Sequence, residues 1–264
     1  MHTQQPVATD DDIEFASQFP EYREKNIREP VEYYTIHNCM LKSLLDDNGL
    51  LTGKRVLDLA CGHGHYTRQL KALDCGYILG VDLSAMMINI ARDIERRDPK
   101  GIEYSVNDAS NLSPPEQTFD LVTAFYLFDY ARTVNELLQM VRTIFAQLGD
   151  GKQFIGIIGN VVAGKDMFNQ RKYGITRETN VPLGEGPIPD GTEIIVTLYN
   201  ERDEPTTPFV NYHYSPTTYA QVFKEVGFKA LEWVPYQYDN NASNRNFFDD
   251  LINCAPSIGM VATK

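Results

Sequence analysis

From Lys54 onward, short apolar runs alternate with amphipathic stretches, the rhythm of strands joined by helices. Arg55 to Leu59 predicts a first strand, followed by a glycine-containing turn and a helix from about Tyr66 to Leu73. Tyr77 to Asp82 predicts a second strand. Ser84 then caps a helix that keeps Met87, Ile90, Ala91 and Ile94 on one face. Ile102 to Val106 and Phe119 to Phe125 read as the third and fourth strands. Thr133 and Glu136 form a capping box for a helix in which Val134, Leu137, Leu138, Val141, Ile144, Phe145 and Leu148 hold the 3.6-residue period. Gly149-Asp150-Gly151 ends that helix, and Gln153 to Ile158 is the fifth strand.

The pattern then changes. Asn160 to Asp190 is rich in Gly and Pro, weakly periodic and long for a loop, as expected of a lid, a substrate-binding insertion or disorder. Ile194 to Tyr199 and Phe209 to Tyr214 predict an added hairpin. Ser215-Pro216 supplies an N-cap and a first-turn proline for a helix that buries Tyr219, Val222, Phe223 and Val226 and stops at Gly227. Leu231 to Val234 and Ile258 to Ala262 are the last strands, antiparallel to each other. Before the first strand, Pro30 to Leu45 predicts a helix over the ligand-binding edge of the sheet. Together these elements predict an α/β fold with a doubly wound, mostly parallel sheet.

Composition narrows the possible partners. Of 264 residues, 42% are apolar, 24 are basic and 36 acidic, a net charge of −12. Such a surface is repelled by phosphate backbones and anionic lipid, so no nucleic-acid or membrane partner is expected. Cys39, Cys61, Cys75 and Cys254 show no paired spacing, which suits a reducing cytoplasm rather than a disulfide or zinc framework. Residues 1–12 are polar and end in Asp10-Asp11-Asp12, as a disordered tail would; residues 13–264 are expected to form one domain, with the insertion at about 160–214.

The chemistry is concentrated in Asp58-Leu59-Ala60-Cys61-Gly62-His63-Gly64-His65-Tyr66, at the end of the first strand. Gly62 and Gly64 permit a tight turn and close approach of a ligand to the backbone. Asp58 is placed to orient this loop and attract a cationic amine or sulfonium. Asp82 ends the second strand, where a carboxylate accepts ribose hydroxyls, and Asp108 in Asn107-Asp108-Ala109 follows the third, within reach of an adenine amino group. Neighbouring carboxyl ends of parallel strands are where open α/β sheets bind ligands. A dinucleotide oxidoreductase is the main competitor, but its third glycine is replaced by Thr67 and its pyrophosphate gains nothing from Asp58.

At these residues the chain resembles the class I S-adenosylmethionine (SAM)-dependent methyltransferases, from about Tyr34 to the C-terminus. Val56 to Thr67, Gly80 to Arg92, Phe119 to Arg132 and the final strand pair follow the order of that family. Tyr126 to Arg132 and Tyr212 to Ser215 are similar to the subgroup that includes the toxoflavin-pathway N-methyltransferase. The chain has Asp129-Tyr130 where that subgroup commonly has Asn-Tyr, and Ile158-Gly159-Asn160 where it has Asn-Asp-Asn. The resemblance implies a Rossmann-like methyltransferase fold: seven strands, the last antiparallel, with an inserted lid or hairpin. It implies SAM as cofactor, S-adenosylhomocysteine as product, no metal and a small-molecule acceptor.

Methyl transfer is an in-line displacement, so the protein chiefly aligns donor and acceptor and removes a proton where needed. The expected cofactor residues are Asp58, Ala60, Cys61, Gly62, Gly64, Asp82, Leu83, Met87, Asn107, Asp108, Ala109 and Phe125, with Arg28 and Tyr34 reaching the methionine carboxylate. Cys61 is read as a small buried residue, and His63 and His65 as exposed loop histidines without a third metal ligand. Tyr126, Asp129, Tyr130, Asn160, Tyr173, Tyr212, His213 and Tyr214 are candidates for the acceptor pocket, Tyr126 and His213 being the catalytic ones. Strand alternation puts Tyr212 and Tyr214 on one face and His213 on the other, so one set is structural. The expected function is N- or O-methylation of a small, secondary-metabolite-like molecule. The alternatives are a SAM-binding protein without transfer activity and a protein or peptide methyltransferase.

Overall fold

The computed structural model describes Tyr22 and residues 26–182, 186–200 and 202–264. The expected tail at residues 1–12 lies outside them.

Strand β1 (Arg55–Leu59) is buried on both sides, as an interior parallel strand must be. It lies between β2 (Tyr77–Asp82) and β4 (Phe119–Phe125), parallel to both; β3 (Glu103–Val106) pairs parallel with β2, and β5 (Leu148–Gly159) with β4. β11 (Ser257–Thr263) runs antiparallel to β5 and to β10 (Ala230–Val234). The order β10-β11-β5-β4-β1-β2-β3 makes a seven-stranded sheet whose one reversed strand is β11. Because the direction of winding changes between β1 and β4, their carboxyl ends open a crevice.

Alternation along the strands divides the core. Leu57, Val122, Ala124 and Phe154 point to one face with Phe128 and Phe223; Val56, Leu121, Ile155 and Ile157 point to the other with Ile78 and Met40. The faces are covered by α2 (His65–Lys71), α3 (Ala85–Arg97), α4 (Val134–Gln147) and α5 (Pro216–Val226). Ser84, Thr133 and Ser215 cap α3, α4 and α5 as expected, their side chains accepting from Met87, Glu136 and Thr218 N–H. The capping box is only half formed: Glu136 accepts from Arg132 N–H at 2.8 Å instead of from the cap residue. Val134, expected on the buried face, is exposed in the first turn of α4.

Three segments depart from the sequence reading. The N-terminal helix is shorter, α1 (Glu29–Thr35) giving way to a π turn over Ile36–Met40. The widened turn keeps Ile36, Met40 and Leu41 buried against β11. β5 starts at Leu148, directly after α4, with an irregular register that absorbs Gly149-Asp150-Gly151. The insertion is a sheet and not a loop with one hairpin: β6 (Asn169–Gln170), β7 (Ile175–Glu178), β8 (Thr192–Leu198) and β9 (Phe209–His213) form four antiparallel strands. β9 rests on the short helical turn Phe128–Tyr130 after β4, bringing this second sheet over the crevice.

Phe154, fully buried between the rings of Phe128 and Phe223 at 5.7 and 5.9 Å, ties β5 to this junction. Phe154→Ala is expected to cost about 3–5 kcal/mol, from lost burial and the cavity left behind, as measured by urea denaturation.

Candidate active site

The loop after β1 is held by two carboxylates. Asp58 is buried, accepting from Thr67 Oγ1 at 2.6 Å and Thr123 Oγ1 at 2.7 Å, so it joins β1 to the first turn of α2 and to β4. Burial pushes its carboxyl up to about 6, against the opposing effect of the two hydroxyls. Asp82 accepts from Gly62 N–H at 2.7 Å and Ser84 N–H at 2.9 Å, binding the loop after β1 to the end of β2. The loop backbone is left-handed at Ala60, φ 54°, and at Gly64, φ 88°. At Gly64 the space is also taken, since a Cβ there would stand 2.3 Å from Tyr104 Oη.

A cleft of about 930 Å³, open mouth included, runs from this loop to the inner face of the second sheet. Its floor holds Ala60, Cys61, Gly62, Asp82 and Met87, all expected at the cofactor; Phe125, Tyr126, Asp129 and Tyr130 line the side under β4, and Arg28 enters from the N-terminal segment. Asp58 and Gly64 stand behind the loop and shape it. Leu83, Asn107, Asp108 and Ala109 sit just beyond the tips of β2 and β3, outside the enclosed part of the cleft. There Leu83 is 71% exposed, Asn107 donates to Ser105 Oγ at 2.6 Å, and Asp108 accepts from Ser110 N–H and Oγ. Cys61 is buried, and its thiol is pushed well up by burial and by Asp58, which makes it a packing residue.

Several expected site residues are placed elsewhere. Tyr34 packs edge-on against Tyr238, away from the cleft, because the turn of α1 directs Arg28 and Glu32 inward instead. Tyr173 is buried, with its hydroxyl donating to Phe247 O and accepting from Leu251 N–H. Asn160 locks the chain after β5 by donating to Ala255 O and accepting from Val162 and Ala163 N–H. Register decides between the tyrosines and the histidine of β9. Val196 pairs with Phe209 and Ile194 with Asn211, so Phe209, Asn211 and His213 share the inner face. Tyr214 instead joins the core, with Tyr212 packed against that cluster. His213, at the far end of the inner row, lies past the cleft; burial lowers its pKa, and Nδ1 has no hydrogen-bond partner among the described residues. His63 and His65, expected in solvent, are respectively buried and half-buried, and both line the cleft.

Two groups were missed by sequence reasoning. Glu32 is fully buried and accepts from Tyr66 Oη at 2.6 Å and Tyr126 Oη at 2.8 Å, with Arg28 Nε 3.5 Å away. The Arg28–Glu32 spacing of one helical turn was the available signal. Tyr126 itself is left-handed, φ 70°, a cost that a bulky residue at a strand tip bears only when its surroundings impose it. Arg177, on β7, projects into the cleft between Ile175 and Val196 beside Asp129. Among the described residues no group of three metal-ligating side chains occurs, and no helix is long and apolar enough to cross a membrane.

The strand order, the reversed β11 and a cleft at the tips of β1, β2 and β4 define the Rossmann-like methyltransferase fold. Residues 56–151, which carry β2, β3 and β4 with most of β1 and the start of β5, match the family described as methyltransferase domain. The chain is 30% identical over 114 residues to the ubiquinone/menaquinone biosynthesis C-methyltransferase UbiE of Azotobacter vinelandii, a match covering 41% of this chain and 45% of that one. The chain therefore spans less than half the length of that relative. An S-adenosylmethionine-dependent methyltransferase structure from Clostridium acetobutylicum superposes with a TM-score of 0.63 at 20% identity, covering 94% of this chain and 98% of that one. SAM-bound CalS10, an amino pentose methyltransferase from Micromonospora echinaspora, does so with a TM-score of 0.56 at 17% identity, covering 94% and 95%.

The burial of Asp58 sets a pH dependence. Its folded pKa, about 6, lies above the ordinary 3.8, so the native state holds the proton more tightly than the unfolded chain does. Its contribution is most favourable below about pH 4 and is lost as pH rises through 6. Urea denaturation of wild type and Asp58→Asn at pH 5 and 7 is expected to show the variant gaining stability relative to wild type at the higher pH, by about 1–2 kcal/mol.

Proposed function

We propose that the chain transfers a methyl group from SAM to nitrogen or oxygen of a small molecule held beneath the second sheet. The observation that carries this reading is the continuity of the cleft from the Gly62 loop and Asp82, past Tyr126, to a roof built by β7, β8 and β9. A roofed acceptor space favours a small molecule over a protein chain. The short stretches shared with the N-methyltransferase subgroup favour a heteroatom acceptor.

The residues present fit the cofactor. Gly62 has no heavy atom within 4 Å of where a Cβ would stand, leaving its backbone open to close approach. Bound there, SAM supplies a methyl group made electrophilic by its sulfonium. Asp82 is assigned to the ribose hydroxyls, and Met87, Leu83, Asn107, Asp108 and Ala109 to the base. Asp58 contributes by holding the loop and not by contact. Tyr126, fixed by Glu32 and by its own backbone conformation, orients the acceptor. His213 is not assigned a catalytic role. The four cysteines are free, as suits a cytoplasmic enzyme.

Calorimetry with SAM and S-adenosylhomocysteine, followed by a labelled-methyl assay against native cell extract, tests the reading. Asp82→Ala is expected to weaken both ligands at least about tenfold, from loss of charge-assisted hydrogen bonds. Tyr126→Phe is expected to lower turnover about tenfold or more with SAM affinity nearly unchanged. Wild-type protein that binds neither ligand would defeat the proposal, and binding without transfer would leave a SAM-responsive binding protein.

A further inference from the structure

Arg177 is out of keeping with its surroundings. The inner face of the second sheet presents Ile175, Val196, Leu198, Phe209 and Asn211 to the cleft, and amid this mainly apolar surface stands one guanidinium, only 6% exposed. Removing a cation from water is costly unless charge and hydrogen bonds replace the solvent. The described residues supply little of either. Of its five N–H donors, one hydrogen bond is made, to Met167 O at 3.3 Å. Asp129 is the nearest carboxylate, and the two groups converge on Gly159, whose Cβ would stand 3.6 Å from Asp129 Oδ1 and 3.9 Å from Arg177 Nη2. Yet they form no ion pair within 4.0 Å among the described residues, and both Asp129 oxygens share Gly159 N–H at 3.1 Å.

The other cleft arginine makes more of its fork, although its Nε has no hydrogen-bond partner among the described residues. Arg28 donates to Tyr173 O at 2.8 Å and Tyr22 Oη at 2.9 Å, and faces Glu32. Arg177 lines the same cleft with its fork largely unused, on the wall opposite the Gly62 loop. A planar fork of N–H groups matches a planar oxyanion, and the apolar side chains around it match a hydrophobic body.

We infer that the methyl acceptor carries a carboxylate or equivalent delocalised oxyanion, held by Arg177, on an apolar body lying against Ile175, Val196, Leu198 and Phe209. This rests on the methyl-transfer reading above and narrows it from small molecules in general to amphipathic organic acids. Binding supplies the guanidinium with the counter-charge the fold withholds, and directs the rest of the molecule toward Tyr126.

The test uses the full chain loaded with S-adenosylhomocysteine, titrated by calorimetry with benzoate, 2-naphthoate and indole-3-acetate and with the corresponding primary amides. At least one acid is expected to bind about tenfold or more tightly than its amide. Arg177→Gln should abolish that preference while leaving S-adenosylhomocysteine affinity within about twofold. Arg177→Lys, which keeps the charge and loses the fork, should retain only part of the preference and serves if the Gln variant does not fold. The inference is overturned if no acid binds, if amides bind as well as acids, or if the preference survives in Arg177→Gln. A tenfold loss of S-adenosylhomocysteine affinity in that variant also overturns it, by placing the guanidinium at the cofactor's own carboxylate. Failure of wild type to bind S-adenosylhomocysteine strikes the methyl-transfer reading instead; the same acids and amides, titrated into unloaded protein, then still decide the role of Arg177.

Discussion

Asp58 is the knot on which the site depends. Its carboxylate, shut away from water, is held by hydroxyls from two different elements: Thr123 within β4 and Thr67 in the first turn of α2. Leu59 to Gly64 must therefore cross a short gap with both ends tied, which imposes the left-handed turns at Ala60 and Gly64. Charge-assisted hydrogen bonds of this kind are stronger than neutral ones, and here they oppose a desolvation cost visible in the raised carboxyl. Asp82 then fastens the free middle of the loop through Gly62 N–H. Loop geometry is set by the core, and a ligand meets a backbone already in place.

A second buried carboxylate does for the cleft wall at Tyr126 what Asp58 does for the loop. Glu32 gathers the hydroxyls of Tyr66 from α2 and Tyr126 just after β4, and Arg28 closes the group through Tyr22 and Tyr173. Tyr236, with its phenol pushed well up by burial, completes the cluster 3.4 Å from Tyr126 Oη. These tyrosines are hydrogen-bonded on their polar ends and packed on their rings, so the wall is stiff. The strained backbone at Tyr126 is sustained by that enclosure.

How much of this could be read from the chain follows from which interactions are local. Strand alternation, helix caps and glycines are short-range signals, and they place β1 to β4 and α3 to α5 within a few residues of their observed ends. The carboxylates at strand tips are equally local, since each must follow its strand. The second sheet was harder, because β6 and β7 are two and four residues long and the inner row of β7 alternates Ile175 with Arg177 in place of a second apolar residue. Tyr173 and Asn160 were chosen by residue type within a Gly- and Pro-rich region, and their partners, Phe247, Leu251 and Ala255, lie some 75 to 95 residues away. Parity alone showed that Tyr212 and His213 face opposite ways, but only the Val196–Phe209 register tells which way is inward. Glu32 was legible only as half of a helical pair, its hydroxyl partners being 34 and 94 residues distant.

The two arginine–carboxylate groups of the cleft differ in a way that assigns them different work. Arg28 and Glu32 face each other directly with hydroxyl and carbonyl partners around them, so their charges are largely compensated in the interior. Arg177 and Asp129 stand close enough to influence one another but are each turned to other partners: burial lowers the arginine's pKa despite Asp129, and pushes the Asp129 carboxyl up to about 6 despite Gly159 N–H and Arg177. A pair built for stability would have closed, since an open one forfeits Coulombic attraction while keeping the desolvation cost. Arg28, Tyr126, Asp129 and Arg177 all line the one cleft, so the closed group and the open group border the same space. On the proposed reading, one flank is rigid and the other is completed by what enters, so that the reacting atom is positioned from one wall and its bearer recognised from the other.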